Sequence, residues 1–136
     1  MRRSRRGSSA VEFAFTAPLL VFFASVVVDY GWYLNREASL IQAVRQGTRV
    51  AARVPLADGP ELTAVSSTTE ALAAVGLPCA SGACDITATL SSAGDLLCVV
   101  TTVELTYDPI IGLVPIPEKQ RFTFTMALDD QGLLER

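Results

Sequence analysis

The sequence predicts an α+β fold in which a long N-terminal helix, membrane-spanning in its first half, carries a short second helix and a three-stranded antiparallel sheet. Three observations predict it. Arg2, Arg3, Arg5 and Arg6 precede an apolar run to Val28 in which Glu12 is the only ionisable group. After Pro18 no proline recurs until Pro55, so one helix has room to continue well past the apolar run. From Asp85 onward, apolar residues alternate with polar ones in three separate segments, the period of half-buried strands. The expected boundaries are a basic leader at 1–7, a long helix at 8–54 with its transmembrane part at 10–28, and a small extracytoplasmic α+β domain at 55–136.

The first element is decided by length and charge. A helix from Ala10 to Val28 rises roughly 28 Å at 1.5 Å per residue, close to the ~30 Å hydrocarbon thickness of a bilayer. Arginines before such a run stay cytoplasmic, so the expected topology is single-pass, with the N-terminus on the cytoplasmic side of the membrane and the C-terminal domain beyond it. A cleaved secretory signal is the competing reading. It would need a shorter apolar core and a small-residue cleavage site, to which Ala24–Asp29 is a poor match. Pro18 removes one backbone donor, and a bend or melted turn is expected there, tolerated or useful during helix bundling. Glu12 is the costly residue: a carboxylate inside an apolar span costs a few kcal/mol at the bilayer centre, so it needs a partner or a purpose. One partner is Arg5 or Arg6 at the headgroups.

Past Val28 the helix is expected to leave the membrane, with Tyr30, Trp32 and Tyr33 at the headgroup level that amphipathic aromatics prefer. Leu34, Ala38, Ile41, Val44, Thr48 and Ala51 recur every three or four residues as an apolar stripe for the C-terminal domain to cover. Arg45, Arg49 and Arg53 form a second line, read either as a solvated face or as a contact for acids of a neighbouring subunit. Pro55 ends the helix. Asp58-Gly59-Pro60-Glu61 offers a cap, a first-turn proline and a first-turn acid for a second helix. Its buried face is expected to hold Leu62, Val65, Thr69, Leu72 and Val75, and Gly76 with Pro78 closes it.

Three strands follow. Ile86, Ala88 and Leu90 share one face of the first; Leu97, Val99, Val103, Leu105 and Tyr107 share one of the second; Phe122, Phe124, Met126 and Leu128 share one of the third. Ser92-Ala93-Gly94-Asp95 is a hairpin turn whose centre, set between Ala93 and Gly94, places Cys98 opposite Thr89. The proline-rich segment from Asp108 to Pro117 cannot join a ladder. It either folds over the domain's own core or offers a surface to another subunit.

Cys79 and Cys84 flank a glycine-containing loop on the expected extracytoplasmic side, where disulfides persist, and a bridge between them is expected with Cys98 left unpaired. Metal binding is the rival reading, for which three cysteines without histidine make a poor zinc set. The chain contains no histidine, so Ser-His-Asp and Cys-His machinery is impossible. No phosphate-cradling glycine loop or hydrolytic acid pair is present. No catalytic residue, cofactor, metal or small-molecule substrate is expected. The formal charge of −3 includes four leader arginines among 11 basic residues; without them seven bases face 14 acids, giving −7, the wrong sign for nucleic acid.

Two motifs carry a family resemblance. Gly7, then four residues, then Glu12-Phe13 resembles the type IV prepilin processing site, where a membrane peptidase cuts after the glycine. By that resemblance Ser8 is the new N-terminus, and Glu12, its fifth residue, meets the freed amine of a neighbouring subunit as the helices bundle. Ala43-Val44-Arg45-Gln46-Gly47-Thr48-Arg49-Val50-Ala51 resembles the A-x-R-x-G-x-R-x-A signature of the TadE-like family, the pseudopilins of tight-adherence (Tad or Flp) pilus systems. The leader RRGSSAVEFAFTAPLL, and the loop holding Tyr107-Asp108-Pro109 and Leu113-Val114-Pro115, look like the same family. The resemblance implies a pilin-like structural protein that primes or caps a filament, through Glu12, Phe13 and Pro18. Arg45, Gly47, Arg49, Pro109, Leu113 and Pro115 would be subunit contacts. The implied partners are a prepilin peptidase, other pilins or pseudopilins, the inner-membrane assembly platform and the lipid bilayer. The C-terminal DDQGLLER departs from the family pattern and leaves the sheet edge there undefined. A membrane-tethered periplasmic scaffold or binding module, never extracted into a fibre, is the alternative.

Overall fold

The computed structural model describes residues 5–77, 79 and 84–129, with side chains from Ala10 onward. Helix α1 covers Arg5–Ala51, a short 3-10 helix covers Leu56–Asp58, helix α2 covers Pro60–Ala74, and strands β1, β2 and β3 cover Cys84–Ala93, Leu96–Thr106 and Lys119–Ala127. The arrangement is α+β, as the periodicities indicated. The chain divides into two compact units. One comprises Met1–Leu34 with Asp108–Ile116, and the other Asn35–Tyr107 with Pro117–Arg136.

In the second unit the strands form one antiparallel sheet in the order β1-β2-β3. The polar–apolar alternation places Ile86, Val103 and Phe122 in one row across the three strands, and Ala88, Thr101 and Phe124 in the next. Side chains in such a row face the same side, which is how alternation in sequence becomes a packed face. The hairpin differs from expectation by one position at each strand: Ala93 pairs with Leu96, so the loop is Gly94-Asp95 and Cys98 lies opposite Ser91, not Thr89. Two-residue loops with a glycine at the first central position match the strand twist, which is why the loop sits at Gly94-Asp95, one residue later than expected.

The core joins the end of α1 to α2 and the sheet. Leu40, Ala43, Val44, Ala71, Leu72, Leu77, Val103 and Leu105 form its larger part, and Ala51, Ala64, Val99 and Leu128 a second cluster. Two helical faces are corrected by this packing. On α1 from Asn35 onward the buried positions are Leu40, Ala43, Val44, Gly47, Thr48 and Ala51, with Ala52 just past its end, while Leu34 and Ala38 of the expected stripe are exposed. On α2 the buried face is Pro60, Ala64, Thr68, Ala71 and Leu72, whereas Leu62 is 79% exposed and Val75 also faces outward. Small residues win both faces because the helices approach closely, and a large side chain would hold them apart.

The ends of the helices follow backbone chemistry. α1 stops at Ala51, a few residues before Pro55, because the positions ahead of a proline avoid helical backbone. Helical assignment is unbroken through Pro18, so the melted turn is not formed. At α2 the N-cap is Gly59 with no side-chain cap bond; Asp58, the expected cap, belongs to the 3-10 helix instead. Glu61 uses its carboxylate differently, accepting the Leu90 backbone N–H at 3.0 Å and so covering a donor on the edge strand β1. The other end closes as a Schellman motif, with Leu77 N–H bonded to Leu72 O at 2.9 Å and Gly76 N–H to Ala73 O at 3.1 Å. Pro78 and the C-terminal DDQGLLER beyond Asp129 lie outside the described residues.

Candidate assembly surface

The leading half of α1 is apolar on every side. Val11, Phe13, Phe15, Leu19, Leu20, Val21, Phe22, Phe23 and Val27 are all exposed. A helix that is hydrophobic all round is stable only inside protein or lipid, and α1 is the one helix among the described residues long and apolar enough to cross a membrane. Glu12 lies on this surface, exposed and without a side-chain partner among the described residues. Its backbone carbonyl accepts the Thr16 hydroxyl at 2.9 Å, a local bond that satisfies threonine inside an apolar helix. Gly7 and Ser8 lie within the first turns of α1, and Pro18 is exposed. Arg2 and Arg3 lie outside the described residues, as do the side chains of Arg5 and Arg6 that would test the headgroup pairing of Glu12.

The arginine line behaves as two kinds of residue. Arg49 and Arg53 project into solvent, flanking an open strip with Gln42, Gln46 and Val50. Arg45 leans its guanidinium over the Phe124 ring, 5.8 Å from the centroid, and Arg36 does the same over Tyr107 at 5.9 Å. Both contacts use the negative ring face while leaving the charge accessible. Gly47 is not on this surface. It is buried against α2, where a Cβ would run into Thr68 Oγ1 and come within 2.8 Å of the Thr68 backbone. The close approach that a glycine permits is made here within the same chain, and the Ser67 hydroxyl seals it by donating to Gly47 O at 3.1 Å.

Cys79 and Cys84 are joined by a disulfide, and Cys98 is free and buried. The bridge ties the end of the α2 segment to the start of β1 and packs on the main core. Among the described residues no group of three or more His, Cys, Asp or Glu side chains is placed to hold a metal. At the sheet surface Lys119 Nζ lies 2.8 Å from Glu104 Oε1. That hydrogen bond and the lysine charge hold the Glu104 carboxyl below its ordinary range, and the same contact raises Lys119.

In the segment between β2 and β3, Pro109, Ile110, Ile111, Leu113 and Pro115 are exposed. Its anchor escaped the sequence reading. Asp29, 0% exposed, accepts the backbone N–H groups of Ile111 at 2.9 Å and Gly112 at 3.1 Å. The only hint in the sequence was an acid placed directly after the apolar run, where it reads simply as the end of a span.

A bare apolar helix with one acid near its start, long enough for a single membrane pass, precedes a small disulfide-bridged α+β unit in the chain. Residues 7–49, about a third of the chain, match the family model described as TadE-like protein, a stretch that holds Gly7, Glu12 and most of the arginine–glycine signature. No curated protein and no solved structure is significantly similar to the chain.

Proposed function

We propose that this protein is a minor pilin or pseudopilin that takes part in priming or capping a tight-adherence pilus used for surface attachment. The observation that carries the reading is the coincidence, within one matched segment, of an uncovered apolar helix and a single exposed acid near its start. Prepilin peptidase would cut between Gly7 and Ser8 and free an ammonium at Ser8. Glu12 of one chain and the ammonium of another are each costly in lipid, and each neutralises the other when the helices bundle. Phe13 and the neighbouring apolar side chains supply the bundle surface, and Arg45 and Arg49 offer charge to acids of adjoining subunits. The inner membrane is the staging site, and the assembly platform is the partner that draws the helix out. N-terminal sequencing of the protein from its native membrane tests processing: Ser8 is the expected first residue. Met1 would instead indicate a tethered scaffold, and a start near Asp29 a secreted protein.

A further inference from the structure

We propose that the β2–β3 loop, Asp108–Ile116, is a second lipid-contacting element, seated at the headgroup–acyl boundary beside the last turn of the α1 span and fixed at that depth by Asp29. The inference rests on α1 crossing the bilayer at 10–28. Loop and helix end belong to one compact unit.

Three observations set the loop's depth. Asp29 immediately follows the apolar run, and its carboxylate holds the Ile111 and Gly112 amides at that helical level. Ser25, one turn earlier and inside the run, is 3% exposed although Ala24 beside it is open. From Ala10 to Ser39, Ser25 and Asp29 are the only buried residues of α1. Ser25 sits one turn before Asp29 on the same helix face, and we take the loop held at Asp29 as its cover. That places it about 4–6 Å back along the span at 1.5 Å per residue.

The composition of the loop suits lipid. Ile110 is 58% and Leu113 59% exposed, and Ile111 is exposed too. Tyr30 and Trp32, the interface-preferring aromatics, are exposed on the adjoining turn of α1. Irregular backbone near lipid is costly because its N–H groups lose water. Here Pro109 and Pro115 have no N–H, and Asp29 accepts two others. Gly112 has φ +72, a left-handed conformation that a side chain would strain, and this lets consecutive amides point at one carboxylate. Amphipathic elements rest ~5–10 Å into the headgroup–acyl boundary, the depth this arrangement supplies.

The test is spin-label accessibility in the full chain reconstituted into phosphatidylethanolamine–phosphatidylglycerol vesicles, with labels at Leu113→Cys and, as the span control, Val27→Cys. The expected result is that both labels collide with oxygen more, and with a polar nickel reagent less, than a free aqueous label does. If Val27 shows the lipid signature and Leu113 behaves as in water, or is shielded from both reagents by protein, the loop proposal is overturned and the span stands. If Val27 also behaves as in water, the span reading fails and the loop proposal with it. Asp29→Ala in the Leu113→Cys background removes both acceptors and is expected to weaken the lipid signature at 113 while leaving that at 27 unchanged. An unchanged signal at 113 overturns Asp29 as the residue that sets the depth.

Discussion

Gly47 has no room to change. Besides the Thr68 hydroxyl, an added Cβ meets backbone atoms of Thr68, which cannot rotate away, so Gly47→Ala forces α1 and α2 apart. Overpacking of this kind costs ~1–3 kcal/mol, and the helix-propensity gain of ~1 kcal/mol offsets only part of it. A lower urea midpoint for the detergent-solubilised protein, corresponding to a loss of about 1–2 kcal/mol, is the expected outcome. Thr101 is the opposite case: its hydroxyl is buried in the middle of β2 with no hydrogen-bond partner. Thr101→Val removes that unsatisfied group and is expected to raise stability by ~1 kcal/mol in the same assay. Glu104 and Lys119 supply a pH signature. Glu104 is depressed, so its contribution is present above its unfolded value and fades as pH falls through the lower folded value. Lys119 is raised, so its contribution holds below its unfolded value and is lost as pH climbs through the higher folded one. A carboxyl NMR titration of Glu104 should show a midpoint below the ordinary range that moves up in Lys119→Met. Both groups are exposed, so the global stability change is expected to be small.

The strands were legible because period-two patterning survives any uncertainty in their ends: Val99, Val103 and Leu105 are buried as the alternation required. The helical faces were less legible. An apolar stripe drawn through Leu34 and Ala38 supposes that apolar spacing alone marks the buried side, yet both are exposed and the close-packed face runs through Ala43, Gly47 and Ala51. α2 misleads in the same way through Leu62. Its true face of Ala64, Thr68 and Ala71 resembles a surface face until the close approach to Gly47 is seen. The disulfide also acts on elements, joining the segment after α2 to β1 through cysteines five apart in sequence. For so short a loop the chain-entropy model gives about 2 kcal/mol. Reduction with dithiothreitol should lower the urea midpoint by that order, and Cys79→Ser should reproduce the loss without reductant.

The molecule couples an apolar rod that cannot remain bare in water to a unit that carries its own core. Such a rod exchanges one apolar surrounding for another at modest cost, since lipid and neighbouring helices bury the same side chains. A charge inside it changes that balance, because it is expensive in lipid and neutral only beside an opposite charge. In this reading Glu12 favours the bundle over the bilayer. Sequence made that much visible through the leader glycine and the lone acid. It did not reveal Asp29, because the two amides it binds are 82 and 83 residues away and carry no side-chain signal. The decisive measurement is the count of surface fibres on cells whose chromosomal copy is replaced by Glu12→Ala, with immunoblotting to verify that the variant reaches the membrane in normal amount. Few or no fibres, with the protein retained in the membrane, is the expected result. Normal fibre numbers from the neutral variant would contradict assembly through a paired acid and amine.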